Sequence, residues 1–367
     1  MAIKLVDLTK KYGDFTAVNN LNIEFEDNKL TILIGPSGCG KTTTLKMINR
    51  LIERTSGDIL FNGKSIDDIN SIQLRRSIGY VIQEIGLFPH MTVFDNIAVV
   101  PRLLKWTEEK IKKRVYDLLD LVNLEPDINA YKFPAQLSGG QRQRVGVARG
   151  LAADPDILLM DEPFGAIDPI NRETLQDAFL EIQEKIKKTI IFVTHDIREA
   201  IKLGDKIAIF KDGELVQYDD TQNIVQNPKN DFVKDILGED SQFKSLEFVK
   251  VSEGLYKDMQ VFKIDEDLSK IKNTIQSKYP ITIFVDKNNN YKGFIETKRL
   301  NRINDLSKLQ SSLKKDHVTP KSSLYEALNK ILSSSSTNIP VVTDKQKVIG
   351  VINLKAIFEQ MSNKEEV

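Results

Sequence analysis

The sequence predicts a mixed α/β protein in which a largely parallel sheet is followed by a smaller, internally repeated region. An apolar strand, KLTILIG, runs through a glycine-rich loop into a helical pattern. Apolar strands then alternate with helical segments to about residue 225, which favours a parallel sheet. Beyond about residue 245 the pattern changes and a weak repeat begins.

The composition limits the classes of function. With 367 residues the chain should hold more than one core, and 52 basic residues against 52 acidic ones give no net field toward nucleic acid or anionic lipid. No apolar stretch approaches the roughly 20 residues of a membrane span, and MAIKLVDLTKKYG lacks an apolar export core. We therefore expect a cytosolic protein. One cysteine excludes an intramolecular disulfide, and three histidines argue against a zinc cluster.

The first 30 residues predict an antiparallel β subdomain, because the alternating segments IKLVDL and FTAVNNLNIEF are broken by KYGD and EDNK. A phosphate-binding loop follows the next strand. It matches the G-x-x-x-x-G-K-[ST] pattern in the strand–loop–helix context that supports the assignment, with residues Gly35, Pro36, Ser37, Gly38, Cys39, Gly40, Lys41 and Thr42.

Backbone N–H groups of such a loop wrap the β-phosphate at a helix N-terminus. Lys41 would add a positive charge near the β- and γ-phosphates, and the Thr42 hydroxyl would bind Mg²⁺. The alternative is a glycine-rich turn with a chance lysine. Cys39 is interpreted as a small side chain beside the nucleotide rather than a reactive thiol.

Two acids and a histidine follow later apolar strands. Asp161 and Glu162 end the segment ILLMDE, and His195 follows TIIFVT. Ligands bind at the carboxyl ends of parallel strands, so we expect Asp161 to hold Mg²⁺ through water and Glu162 to polarise the attacking water. His195 is predicted to contact the γ-phosphate. The alternatives are two acids that cap a strand in solvent and a structural histidine.

Residues 137–145, LSGGQRQRV, place a second serine–glycine segment about a hundred residues after the first phosphate loop. Between that loop and the Asp-Glu strand, it resembles the signature motif of ABC transporter ATP-binding subunits, and residues 1–238 resemble their P-loop ATPase domain. In that family two subunits close head to tail over ATP. The resemblance implies that the signature acts on the ATP of a second copy, through Ser138, Gly139, Gly140 and Gln141.

Further positions match the same family. Tyr12 stands where an aromatic ring stacks on adenine, although it could be only a strand-end tyrosine, and Thr43 extends the ATP-binding loop. Gln83 fits the glutamine that joins Mg²⁺ to the transporter contact, and Asp168 fits the loop that contacts the other subunit across the dimer.

The helical residues 93–132 resemble the arm whose groove receives a helix from a membrane partner, with exposed apolar contacts at Leu87, Phe88 and Pro89. Arg142 and Arg144 could instead form a nucleic-acid patch. The neutral net charge and their position on a helix inside the domain make this the weaker interpretation.

A linker is predicted at residues 239–245. Beyond it, residues 279–300 align with residues 338–357: in each, an apolar strand ends in Asp-Lys and a glycine opens a second strand that leads into a helix. This repeat resembles a tandem pair of CBS motifs of the βαββα type, with a degenerate first copy at 246–308, a clear second copy at 309–363 and a tail at 364–367.

CBS pairs commonly bind adenosine nucleotides through an acid that ends the pattern Gly-h-h-Thr-x-x-Asp. Here the two copies read Gly293 to Arg299 and Gly350 to Ala356, so both lack the acid. The resemblance therefore does not predict AMP or ATP held in the ordinary way. It leaves open a cyclic dinucleotide at a CBS dimer interface, contact of basic clusters with anionic lipid, or a pair that only dimerises.

The segment VIQEIGLFPHMTVFDNIAVVPRLLKW and the CBS pair resemble importers of glycine betaine, carnitine, choline and related quaternary amines. This implies a Mg²⁺-dependent ATPase at the cytoplasmic face of the membrane. Its partners would be a second copy, permease subunits and, through them, an extracytoplasmic quaternary-amine-binding protein, with no nucleic acid. The alternatives are the ATPase of another importer class, a soluble ABC ATPase acting on ribosomes or DNA, and a nucleotide-sensing regulator.

Overall fold

The computed structural model describes residues 3–82, 86–165, 169–238, 245–303 and 305–362, and the chain divides into two compact units, Met1–Leu237 and Gly238–Val367. The predicted linker, apart from Ser245, and the predicted tail lie outside the described residues. Among the residues that are described, no helix has the length and apolarity of a bilayer span.

The first unit is built from two sheets and the helices that cover them. Its elements are β1 (Ile3–Tyr12), β2 (Phe15–Phe25), β3 (Leu30–Ile34), α1 (Lys41–Ile48), β4 (Ser56–Phe61), β5 (Lys64–Ser65), α2 (Ser71–Ser77), β6 (Ile78–Val81), α3 (Val93–Leu103), α4 (Glu108–Leu121), α5 (Pro126–Asn129), α6 (Gly139–Leu151), β7 (Ile157–Asp161), α7 (Pro169–Ile186), β8 (Thr189–Val193), α8 (Ile197–Leu203), β9 (Lys206–Lys211), β10 (Glu214–Asp220), α9 (Thr221–Gln226) and α10 (Asp231–Leu237).

The predicted N-terminal antiparallel sheet is confirmed, in the order β2–β1–β4–β5. Alternate side chains of β2 (Leu21, Ile23 and Phe25) are buried, as the two-residue period of a strand requires. Strands β4 and β5, which were not predicted from the sequence, complete this sheet.

The six-stranded sheet has the order β10–β9–β3–β8–β7–β6 and is parallel except for β10. All residues of β3, β7 and β8 are buried, because helices cover both faces of a parallel sheet. The β9–β10 hairpin turns at Asp212 and Gly213, whose φ angles of 48° and 83° suit a two-residue turn.

Three phenylalanine rings attach α7 to this sheet. Phe192 of β8 has its ring centroid 5.7 Å from that of Phe164 and 6.2 Å from that of Phe179 on α7, and the last two are 6.1 Å apart. All three side chains are buried. The cluster therefore fixes the helix that follows β7 against the strand that precedes His195.

The predicted helical arm consists of α3, α4 and α5, and two arginines connect α4 to α6. Arg114 of α4 donates to the carbonyl of Leu151 (2.8 Å) at the end of α6, and Arg144 of α6 donates to the carbonyl of Asn123 (3.3 Å) just beyond α4. Each helix thus donates an arginine hydrogen bond to a backbone carbonyl at the C-terminal end of the other.

The second unit contains β11 (Val261–Lys263), α11 (Leu268–Thr274), β12 (Ile281–Val285), β13 (Tyr291–Glu296), α12 (Thr297–Leu300), α13 (Leu306–Ser312), α14 (Leu324–Ser334), β14 (Asn338–Val342), β15 (Val348–Asn353) and α15 (Leu354–Ser362). The two hairpins, β12–β13 and β14–β15, are the aligned segments of the sequence repeat. Helices α11 and α14 begin after the N-cap residues Asp267 and Ser323.

The sheets of the two repeats differ in extent. In the first, β11–β12–β13 form a three-stranded sheet, whereas in the second a single parallel bridge between Val318 and Val341 stands beside β14–β15. The repeat with the degenerate sequence therefore has the fuller sheet. Helix α14 ends within the four consecutive serines at 333–336, where Ser335 takes a left-handed conformation with φ of 50°.

The repeats exchange short segments. Phe294 of β13 and Lys314 each donate a backbone N–H to the carbonyl of the other. Val351 of β15 and Tyr256 form the same pair of hydrogen bonds. A Cβ at Gly293 would lie 2.7 Å from the Lys314 carbonyl oxygen, and one at Gly350 would lie 2.5 Å from that of Tyr256. Both repeats thus need the glycine because a segment of the other crosses there.

We expect Phe192→Ala to lower the free energy of unfolding of the first unit by about 3–5 kcal/mol, because it leaves a cavity beside the rings of Phe164 and Phe179. Urea unfolding followed by circular dichroism measures the change. Leu103→Ala, at a side chain that is 52% exposed, is the control and should cost less than about 0.5 kcal/mol. Equal losses in both variants would contradict the role of the cluster.

Candidate active site

The carboxyl ends of three neighbouring strands meet at one edge of the parallel sheet. Strand β8 lies between β3 and β7, and it pairs in parallel with both. The pairing continues into the loops, because the Thr194 N–H donates to the Leu33 carbonyl (3.2 Å) and the Glu162 N–H to the Val193 carbonyl (3.0 Å). The phosphate loop, the two acids and His195 therefore begin next to one another.

The phosphate loop between β3 and α1 has a conformation that two of its glycines require. A Cβ at Gly35 would lie 2.2 Å from the Phe210 carbonyl oxygen, and one at Gly40, where φ is 101°, would lie 2.4 Å from that of Ala17. Pro36, Ser37 and Gly38 are exposed. The loop therefore presents backbone to solvent, at the start of a helix where N–H groups are available to an anion.

Lys41 is buried beneath this loop. Its ammonium group donates to the carbonyls of Gly35 (2.7 Å) and Pro36 (2.9 Å) and lies 3.5 Å from the Cys39 sulfur. Cys39 is buried, and Thr43 is half-buried. The charge is thus held inside the curve of the loop, where a bound phosphate would lie.

Thr42 and Asp161 bring two oxygens together, with the Thr42 hydroxyl donating to the Asp161 carboxylate at 2.8 Å. Asp161 is 5% exposed, and burial raises its pKa, a shift opposed by Thr42 and by nearby lysines. Among the residues described, no cluster of three or more histidine, cysteine, aspartate or glutamate side chains is present. One carboxylate and one hydroxyl suit Mg²⁺, which completes its shell with water and phosphate oxygens.

Tyr80 of β6 was not predicted from the sequence. Burial raises the pKa of its hydroxyl, and so does the nearby Asp161 carboxylate. Because Tyr80 reaches Asp161 only through the pairing of β6 with β7, no local sequence signal marks it.

Glu162 and His195 are brought together, with 3.2 Å between the Glu162 Oε2 and the His195 Nδ1. Glu162 directly follows β7 with φ of 44°, a left-handed conformation that turns its side chain out of the strand direction. The His195 side chain is 59% exposed. A carboxylate and an imidazole are therefore in hydrogen-bond contact at the open edge, beside the Thr42–Asp161 pair.

The signature segment forms the N-terminus of α6. Ser138 is the N-cap, with its hydroxyl accepting from the Gln141 N–H (3.2 Å) and its own N–H donating to the Gln141 side chain (2.9 Å). Ser138 and Gly139 are exposed, and a Cβ at Gly140 would contact Leu175 at 3.4 Å.

The two arginines after the signature have partners within the first unit. Arg142 donates to the Leu137 carbonyl (2.7 Å), and Arg144 binds the carbonyls beyond α4. Both guanidinium groups are thus hydrogen-bonded to backbone carbonyls of the same unit, which weakens the interpretation of a nucleic-acid patch.

Three predicted site residues remain, and the structure describes one of them, Tyr12. Tyr12 is 49% exposed at the β1–β2 turn opposite Phe15, on the hairpin whose Ala17 carbonyl packs against Gly40. Gln83 and Asp168 lie outside the described residues.

A groove of about 290 Å³ lies beside the arm. It is lined by Arg75, Arg76, Tyr80, Phe88, Val100, Arg149 and neighbouring residues. Phe88 and Pro89 are exposed, as expected, and Leu87 is half-buried. The buried Asn96 side chain holds the backbone of Phe88 at both its N–H and its carbonyl (2.8 and 3.1 Å). The aromatic side chain is thus presented from a fixed backbone.

The second unit has two adjoining cavities of about 440 and 310 Å³ between its repeats. Tyr279, Pro280 and Thr337 line both. Lys355, at the start of α15, lines the larger cavity, and Lys298, at the equivalent position of α12, lines the smaller one. The cleft therefore carries lysines from both repeats, and Lys278 of the first repeat also lines the larger cavity.

Family models match part of each unit. The ABC transporter family model matches residues 18–165, and the CBS domain model matches residues 315–363. A bacterial ABC transporter cassette solved as a dimer is 35% identical, covers 60% of this chain and 98% of its own, and superposes with a TM-score of 0.53. A related structure of such a cassette is a post-hydrolysis state bound to ADP and Pi.

Named relatives match most of the chain. The carnitine transport ATP-binding protein OpuCA of Listeria monocytogenes is 43% identical over 97% of this chain and 91% of its own length. The glycine betaine/carnitine/choline transport ATP-binding protein OpuCA of Bacillus subtilis is 40% identical over 97% of this chain and 95% of its own. The osmoprotectant import ATP-binding protein OsmV of Salmonella typhimurium is 50% identical over 68% of this chain and 67% of its own. The chain belongs to the ATP-binding subunits of ABC transporters, in the group whose named members serve carnitine, choline, glycine betaine and osmoprotectant transport.

Proposed function

We propose that this chain hydrolyses ATP to drive import of a quaternary-amine osmoprotectant such as glycine betaine, carnitine, choline or proline betaine. The observation that carries the proposal is the meeting of the phosphate loop, the Thr42–Asp161 pair and the Glu162–His195 pair at one sheet edge. The choice of substrate class follows from the relatives, which are named for carnitine, choline and glycine betaine transport.

Each group of site residues would have a separate role in ATP hydrolysis. The loop N–H groups would bind the β-phosphate, and Lys41 would exchange its carbonyl partners for phosphate oxygens. Mg²⁺, held by Thr42, Asp161 through water and Gln83, would neutralise charge that develops on the phosphates. Glu162 would take a proton from the attacking water, and His195 would hold that water and the γ-phosphate in place.

The signature segment supports a second copy as partner. A helix N-terminus with an exposed serine and an exposed glycine attracts an anion, and the Ser138 hydroxyl keeps its proton free to donate while it caps α6. We propose that Ser138, Gly139, Gly140 and Gln141 bind the γ-phosphate of ATP held by the other copy, and that Asp168 contacts that copy.

The membrane partner would bind in the groove beside the arm. Phe88 supplies an exposed apolar contact and three arginines line the groove, which suits an amphipathic helix of a permease subunit. The chain would then sit at the cytoplasmic face of the membrane, and the extracytoplasmic substrate-binding protein would act through the permease.

We propose further that a cyclic dinucleotide regulates the chain through the CBS pair. Such a ligand has two phosphates related by a twofold axis, and the cleft presents Lys298 and Lys355 from equivalent positions of the two repeats. Neither repeat carries the acid that would bind a ribose, so the phosphates would supply most of the recognition.

Replacing the proposed general base tests the ATPase. We expect Glu162→Gln to lower ATP turnover by at least about 100-fold, because the amide cannot accept a proton from water. ATP binding should remain, so size-exclusion chromatography should detect a dimer that forms with ATP and persists.

Glu181→Gln, at an exposed glutamate of α7, is the matched control and should keep both turnover and the monomer–dimer equilibrium. A Glu162→Gln protein that binds ATP but stays monomeric at all concentrations would contradict the shared site.

Uptake assays test the transport function. In a host that lacks its own quaternary-amine uptake, this chain and its permease should restore accumulation of radiolabelled glycine betaine, carnitine or choline. Lys41→Ala should abolish it because the phosphates lose their buried cation, whereas Lys64→Ala, at an exposed lysine, should not. Co-purification with ribosomes or DNA instead of a permease would favour the soluble ATPase alternative.

Calorimetric titration of the full chain tests the regulatory ligand. Cyclic-di-AMP should bind, and the double variant Lys298→Ala/Lys355→Ala should weaken its affinity at least about tenfold through the loss of two charge-assisted hydrogen bonds. Lys270→Ala on α11 and Lys41→Ala in the phosphate loop should not. Affinity that falls only with Lys41→Ala would assign the ligand to the ATP site and contradict the proposal.

A further inference from the structure

A buried polar cluster lies directly behind His195. The Thr194 hydroxyl donates to the Glu199 carboxylate at 2.7 Å and accepts from the Asp196 N–H at 3.0 Å. The residues on both sides of His195 are therefore held by one hydroxyl group. Thr194 and Glu199 are only 2% and 5% exposed, whereas the His195 side chain is 59% exposed.

The cluster continues into α7. The Gln176 side chain donates to the other oxygen of Glu199 at 3.2 Å, and Arg172 lies 3.8 Å from that oxygen and 3.7 Å from the Asp196 carboxylate. Gln176 is also buried. The Glu199 carboxylate thus joins the loop that carries His195 to the helix that begins after Asp168.

A carboxylate in this position is costly to bury unless its partners compensate. Burial raises the pKa of Glu199, and Thr194, Arg172 and Gln176 oppose that shift. An apolar side chain could fill the same volume without the cost. The observed contacts account for the carboxylate, because it fixes Thr194 and with it the backbone on which the exposed imidazole depends.

We propose that Glu199 is a positioning residue for ATP hydrolysis, which orients His195 toward Glu162 and the nucleotide through Thr194. The inference rests on the proposed function, since His195 matters only if the site turns over ATP. Glu199 does not touch the nucleotide in this scheme. It limits the positions that the imidazole can take, and small misplacements of a catalytic group can cost up to about 100-fold in rate.

Steady-state ATPase kinetics of the full chain test this role. We expect Glu199→Ala and Thr194→Val each to lower kcat by about 10- to 100-fold with KM for ATP changed less than about twofold, because the phosphate loop is untouched. Thr221→Val is the matched control: it removes an equally buried hydroxyl of the same unit, which donates to the Gly204 carbonyl, and should keep kcat.

A double-mutant cycle separates positioning from general stability. In the His195→Ala background, adding Thr194→Val should change kcat by less than about twofold, because the group that it positions is absent. Effects that multiply in the double variant, or an equal loss of kcat in Thr221→Val, would overturn the inference while leaving the ATPase assignment intact. A wild-type chain with no ATP turnover, alone or with its permease, would overturn the proposed function and the inference together.

Discussion

The parallel pairing of β3, β8 and β7 is the interaction on which the site depends. Each strand ends at the same edge of the sheet, and the ladder extends by one hydrogen bond into each of the loops that carry His195 and Glu162. The spacing of the chemical groups is therefore set by backbone geometry, and a slip of one residue in either pairing would turn the side chains to the opposite face. The three buried phenylalanines support this arrangement from the side of α7. Strand β8 therefore contributes both to the packing of the core, through Phe192, and to the geometry of the site.

Exposure increases across the site in the order that its proposed chemistry requires. Asp161 is buried, where burial raises its pKa, and a cation beside it would offset that cost. Glu162 leaves the strand in a left-handed conformation and is partly open, and His195 is mostly exposed. A metal ligand belongs in the dry part of such a site, whereas a base that must meet water belongs at its open edge. The sheet edge provides both environments in adjacent residues, Asp161 at the end of β7 and Glu162 just beyond it.

The parts of this fold that were predictable are those with local signals. The strand–loop–helix motif, the acids at a strand end and the hairpin glycine follow from a few neighbouring residues each. The sequence did not indicate that α1 ends at Ile48, because the reason is distant: Arg50, with φ of 45°, donates to the carbonyls of Ile66 and Ile69. Strands β4 and β5, the Tyr80 contact with Asp161 and the exchange between the CBS repeats likewise depend on non-local pairing. In the site, Glu199 was missed for the same reason, since two of its partners, Arg172 and Gln176, come from α7.

On the proposed head-to-tail arrangement, the signature segment is half of a shared site, and its local structure is already complete in one chain. Two glycines in the first turn of a helix each cost about 1 kcal/mol relative to alanine, and an N-cap serine returns a similar amount. The capping box of Ser138 and Gln141 is complete within one chain, so the helix start is already formed without the second copy. If two copies associate head to tail as proposed, the start of this helix does not have to fold when they come together. The binding energy of ATP can instead go into joining the two surfaces, because the donors on each surface are already in place.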